Sequence, residues 1–153
     1  MLPSQPNMET LKFRIGLSGT YWDKKPEFSI LVGDTTYAKG SIELPAKETQ
    51  YVEFSAELEE DSTYCLKIRL ENKTDSDTLQ SEDKSEILQD MLLNIESIEI
   101  DDIEVGAIKW TASKFVGDDP TRPVLQSCIN LGWNGSYIIE FKTPYYLWLL
   151  ENM

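Results

Sequence analysis

A chain of 153 residues, 41% apolar and 27% charged, has enough material for one domain with its own hydrophobic core. Its 14 Lys+Arg against 27 Asp+Glu leave a net charge of −13, which repels a nucleic-acid backbone and an anionic membrane alike. The sequence has no histidine, which excludes His-based triads and His-ligated zinc or iron, and its two cysteines cannot complete a structural zinc site.

Met1–Thr10, with Pro3 and Pro6, has neither the basic nor the apolar region of a signal peptide and is expected to be a flexible arm. Residues 11–153 are expected to form a single domain, soluble and made in a cytoplasm, because no stretch approaches the ~18 apolar residues of a membrane span. Phe13, Ile15 and Leu17 alternate with Lys12, Arg14 and Gly16, the period of a half-buried strand. Tyr21 to Pro26 reads as a loop with two large aromatics. Phe28, Ile30 and Val32 alternate again, and Gly33-Asp34 supplies a hairpin turn into a strand around Thr36 to Leu44. Val52, Phe54, Ala56 and Leu58, then Tyr64, Leu66, Ile68 and Leu70, are the most regular stretch, and the acidic turn between them predicts a second hairpin.

From Glu71 to Asp90 the pattern lapses into a polar, acidic loop of functional length. A long apolar strand starts at Met91, and its parity shifts at Ile98 and Ile103 require either a bulge or a turn at Asp101-Asp102. The last third carries Trp110, Phe115, the Asp118-Asp119-Pro120 and Arg122-Pro123 punctuation, and a final alternation of Tyr137, Ile139 and Phe141. Helix is expected to be short, within Ser85 to Leu92 or at the end from Tyr145 to Glu151. Short strands at this spacing predict an all-β fold, an antiparallel β-sandwich or jelly roll with at most short helices.

Catalysis is not expected. No G-x-S-x-G and no phosphate-cradling glycine loop occurs, and with 27 carboxylates a close pair somewhere is unavoidable. Cys65 and Cys128 read as buried thiols. The excess negative charge reads either as surface solubility or as carboxylates converging on a cation. The loop holding Asn72, Asp75, Asp77, Glu82 and Asp83 offers the oxygens a hard cation such as calcium takes, against the plainer reading of a solvated flexible loop. Asp101-Asp102 with Asp118-Asp119 is the other cation candidate, against a role in turns. Tyr21, Trp22 and Trp133, with Asn134 beside the last, are candidate sugar platforms, since aromatic faces flanked by hydrogen-bonding groups suit glycans, or else core. Tyr145, Tyr146, Leu147, Trp148, Leu149 and Leu150 form an apolar run that either folds back onto the sandwich or docks into a partner.

Two resemblances follow from these residues. Phe28-Ser-Ile-Leu-Val-Gly-Asp34, Val52-Glu-Phe54, Leu66-Lys-Ile-Arg-Leu70 running into Glu71-Asn72, and Leu92 to Ile103 together resemble the β-jelly-roll carbohydrate-binding modules of the calcium-dependent, xylan-binding type. This likeness implies a ligand-end role for Asn72, Asp75 and Asp77, with calcium as cofactor and a host-surface glycan as partner. Leu131-Gly-Trp-Asn-Gly-Ser-Tyr137 and Thr143-Pro-Tyr-Tyr-Leu-Trp-Leu-Leu-Glu-Asn152 resemble small conserved proteins of contractile-tailed cyanobacterial phages. That likeness implies a non-catalytic virion component of tail, fibre or capsid decoration. Its partners would be other virion proteins in a homo-oligomer or hetero-assembly. The virion role is the leading expectation and the carbohydrate-binding module the alternative.

Overall fold

The computed structural model describes residues 7–152. It is an antiparallel β-sandwich with short helices, as the strand pattern predicts. The central strand of the first sheet is β1 (Met8–Thr20), whose Leu11, Phe13, Ile15 and Leu17 are fully buried while Lys12 is exposed. Met8, Glu9 and Thr10, expected to close a flexible arm, are instead its first residues and pair with Glu59, Leu58 and Glu57 of β4 (Gln50–Glu59). Residues 1–6 of that expected arm lie outside the described residues.

On the other side of β1 runs β8 (Leu92–Ile100). Gly16 faces Ser97 but Leu17 faces Ile95, so Glu96 is an extra residue on β8. This bulge is the parity shift between the buried Ile95 and Ile98. The second shift is a turn, in which Asp101 and Asp102 take φ of 52 and 65 and lead into β9 (Ile103–Glu104). Sequence left bulge and turn as alternatives; the chain uses both, at different places. β12 (Asn130–Leu131) pairs with β8 and closes the sheet at that side.

The second sheet runs β11 (Leu125–Gln126), β10 (Ser113–Gly117), β13 (Gly135–Lys142), β5 (Thr63–Leu70), β2 (Glu27–Val32), β3 (Thr35–Ser41). β2 and β3 form the expected hairpin, with Gly33 at φ 61 in its turn. The hairpin expected of β4 and β5 is corrected: β4 pairs with β1, β5 pairs with β2 and β13, and the turn at 60–62 crosses between sheets. Alternate residues are buried whether two strands lie side by side or in facing layers, so periodicity could not separate the cases.

Leu11, Phe13, Ile15 and Leu17 of one layer meet Ile30, Leu66, Ile68, Tyr137 and Phe141 of the other in one continuous core. The two thiols are free and half-buried rather than buried. Among the described residues no helix is long and apolar enough to cross a membrane.

The apolar C-terminal run is a helix, α2 (Tyr145–Asn152), preceded by the four-residue α1 (Ile108–Thr111). Helical spacing divides the run. Tyr145, Trp148 and Leu149 are buried, with Tyr145 and Trp148 against Phe141 at 6.2 and 6.3 Å, so as partner contacts they are corrected to core. Tyr146, Leu147 and Leu150 remain 60, 56 and 55% exposed. The Tyr145 N–H donates to the Glu9 carboxylate at 3.1 Å, which places α2 beside the Met8 end of β1. The other expected helix, Ser85 to Leu92, is extended instead and contains β7 (Ile87–Gln89) and the start of β8.

Candidate functional site

At the Gly135 end of β13, away from α2, three loops converge on a cleft of about 800 Å³. The acidic 71–91 segment supplies a 3-10 turn, Asp75–Asp77, and a small hairpin of β6 (Leu79–Gln80) with β7. The loop after β10 brings Asp118, Asp119 and Arg122, and the one before β13 brings Gly132, Trp133 and Asn134.

Side chains clamped onto backbone hold these loops. The Asn134 amide brackets Lys73, with Oδ1 accepting from the Lys73 N–H at 2.7 Å and Nδ2 donating to its carbonyl at 2.9 Å. Lys73 Nζ in turn donates to Asp90 at 2.7 Å and to the Gly132 carbonyl at 2.6 Å. Burial alone would raise the Asp90 pKa, but bonds from Lys73, the Thr78 hydroxyl and the Met91 N–H outweigh it and hold it below the usual range.

Asp77 is the keystone of the 3-10 turn. It is buried, and it accepts from the Thr74 N–H at 2.7 Å and faces Lys24 Nζ at 3.0 Å. Burial works against its charge, yet Asp23, the Thr74 N–H and Lys24 prevail and lower its pKa to about 2. The adjacent Asp23 carboxyl is pushed upward, because its protonated form would donate to the Asp77 carboxylate, with desolvation and the Asp77 charge acting in the same direction.

The structure brings some of the expected site residues together and separates others. Asp75, Trp133 and Asn134 line the cleft. Asn72 sits behind it, its amide spent on the Glu27 N–H at 2.8 Å and the Lys25 carbonyl at 3.0 Å. The expected calcium set of Asn72, Asp75 and Asp77 does not come together in the cleft: the Asn72 amide is spent on backbone, Asp77 Oδ2 holds Thr74 and Lys24, and of the three only Asp75 lines the cleft. Among the described residues no three His, Cys, Asp or Glu side chains converge as metal ligands. Asp101 and Asp102 are turn residues at the α2 end, far from Asp118 and Asp119, which removes the second cation candidate.

Tyr21 and Trp22 are braces outside the cleft lining. Tyr21 donates to the Leu44 carbonyl at 2.8 Å, and Trp22 Nε1 donates to the Asp77 carbonyl at 2.7 Å while its ring stays 42% exposed. Trp133 is the aromatic wall of the cleft. Phe115 lies 5.5 Å from it, and the Arg122 guanidinium covers the indole at 4.5 Å. A Cβ on Gly117 would stand 2.5 Å from Trp133 Nε1, so that position must be glycine for the ring to sit there.

A solved structure, vCBM60 in complex with galactobiose, superposes on this architecture with a TM-score of 0.53 at 12% identity, covering 84% of this chain and 96% of that chain. The chain shares the fold of a carbohydrate-binding module. At this identity the likeness extends to the fold alone. No protein family model matches the sequence. No curated protein matches it either.

Arg122, Lys73 and Thr74 were not expected as site residues, and Asp118 was expected only beside a cation with Asp101-Asp102. Arg122 stood in the sequence only as loop punctuation, and the signal that places it and Asp118 in the cleft is long-range. Arg69 on β5 reaches Asp118 at 2.8 Å and Glu71 at 2.9 Å. Asp119 turns its carboxylate onto the Thr121 N–H at 2.9 Å and onto its hydroxyl, bonds that lower its pKa. The cleft thus presents carboxylates and a guanidinium in fixed positions over an indole, an arrangement suited to hydroxyl-rich ligands.

Proposed function

We propose that this protein is a non-catalytic carbohydrate-binding module that takes a glycan in the cleft above Trp133. The observation that carries this reading is the Arg122–Trp133 stack, ringed by Thr74, Asp75, Thr78 and Gln80 at the loop end of the sandwich. A sugar ring has apolar faces and hydroxyl edges; the stack gives it a flat wall, and the polar rim supplies donors and acceptors. The cleft's two displaced carboxyls, Asp90 and Asp119, are both shifted downward. A glycosidase acid requires the opposite shift, which supports binding without turnover.

A glycan array probed with the full chain, with and without chelator, tests this reading. Signals that survive the chelator and vanish in Trp133→Ala are expected. Silence under both conditions sinks it.

A second reading, assembly into a phage particle, rests on the exposed Tyr146, Leu147 and Leu150 of α2. Its test is the native mass of the parent beside Leu147→Glu/Leu150→Glu. An oligomer in the parent that the variant loses supports it, and a monomer at every concentration ends it.

A further inference from the structure

β4 lies at the margin of its sheet, with β1 on one side and no strand on the other among the described residues. Two hydrogen bonds fix which of its backbone groups face the open side. The Glu60 N–H donates to the Asn7 carbonyl at 2.8 Å, on the β1 side, whereas the Glu59 N–H donates to the Tyr64 phenol at 2.9 Å, on the opposite side. Antiparallel neighbours alternate in this respect. The β1–β4 register runs without a slip from Met8↔Glu59 to Leu17↔Gln50, so Tyr51, Glu53, Ser55 and Glu57 all aim N–H and C=O outward. Among the described residues none of these groups has a hydrogen-bond partner.

The side chains along this edge differ by face. Tyr51, Glu53, Ser55 and Glu57 are exposed on the outer face. Arg14 neutralises Glu53 in part, at 3.3 Å, but it is shared with Glu99 and the Tyr51 ring. On the inner face Val52 and Phe54 are only half-buried, and Phe54 stacks between Phe13 at 4.9 Å and Tyr37 of β3 at 5.2 Å. The margin therefore combines an unused ladder of donors and acceptors, an acidic outer rim and a partly uncovered apolar inner rim.

We infer that β4 accepts an extended segment of another protein as an added strand, in which basic residues alternate with apolar ones. Residues opposite one another in a ladder share a face. Lysine or arginine would thus stand beside Glu53 and Glu57, and the apolar residues between them would cover Val52 and Phe54, with backbone bonds supplying register. A second copy of β4 is a poor occupant. Antiparallel self-pairing about Ser55 sets Glu53 against Glu57 twice, and like charges directly opposite destabilise a sheet. This inference is independent of the glycan cleft, which uses none of these residues.

The test uses the full chain and a fluorescent nine-residue peptide, Lys-Val-Lys-Val-Lys-Val-Lys-Val-Lys, titrated by polarisation. Ser55→Pro removes one outward N–H without changing charge, and an edge strand tolerates proline at such a position. Its binding is expected to weaken at least tenfold while the melting temperature holds. Glu53→Lys/Glu57→Lys is expected to lose the basic peptide and gain one with glutamate in place of lysine. Equal binding by parent and Ser55→Pro would mean nonspecific attraction to the acidic surface and would overturn the inference. So would no binding by the parent, or a parent dimer abolished by Ser55→Pro, which would make the occupant a second copy.

Discussion

At its Lys142 end β13 runs into aromatic packing, where Phe141 meets Tyr145 and Trp148 edge-on, whereas at its Gly135 end it meets loops tied by Asn134, Lys73, Asp90 and Asp77. Apolar closure needs only burial and leaves few polar groups over. Polar closure needs a partner for each group, and the groups on its outer side stay available to a ligand. On the proposed reading, the pairing of these two ends puts recognition at the end held by hydrogen bonds, with the aromatic end as its foundation.

The comparison is broken most severely at the foundation. Trp148→Ala is expected to destabilise the fold by about 3–5 kcal/mol, the range for truncating a buried tryptophan, and urea denaturation measures it. Asn134→Asp is expected to cost about 1–3 kcal/mol, since a carboxylate oxygen replaces the N–H that Lys73's carbonyl accepts from. The same variant should weaken glycan binding, because the loop that carries Trp133 shifts. If stability falls but binding holds, the clamp does not position the cleft.

The pH response separates the ends further. Asp77 has a lowered pKa of about 2, so the stability from its charge is complete above the ordinary carboxylate value and is lost as pH falls through about 2. Asp90 acts in the same direction. Asp23, raised, acts the other way and offsets part of the loss. Melting temperature is expected to drop between about pH 4 and pH 2, and Asp77→Asn should flatten that drop. NMR titration of the Asp23 carboxyl in the same variant should return it toward its ordinary value. The smallest stability effect is expected for Arg122→Ala, about 0.5–1 kcal/mol for an exposed cation–π contact. Its glycan affinity should nonetheless fall about tenfold; an unchanged affinity would mean that the sugar stacks elsewhere.

Most of the fold was legible because its strands bury alternate residues. The runs from Phe13 to Leu17 and from Leu66 to Leu70 have one reading at that period, and both are strands. Which strands share a sheet was not legible, as the β4–β5 crossover demonstrates, because pairing depends on residues distant in sequence. The terminal run was ambiguous for a related reason: six consecutive apolar residues fit a strand, a helix or an interface, and only α2's packing assigns half of them to the core. Of the expected site residues, Trp133 and Asn134, read as a sugar platform, and Asp75, read as a cation ligand, line the cleft. Asn72 and Asp77 were expected as ligands because an acidic loop looks alike whether its oxygens face a cation or its own backbone. Arg122 was missed because its partner Trp133 lies beyond both β11 and β12.

The contact between Glu9 and Tyr145 has a mechanical consequence. The described chain enters the sandwich through β1 and leaves it through α2 at the same pole, so a tether at either end would hold the protein there with the cleft facing away. Tension drawn along β1 would load the ladders to β4 and β8 together, in shear, with their hydrogen bonds sharing the force rather than parting one after another.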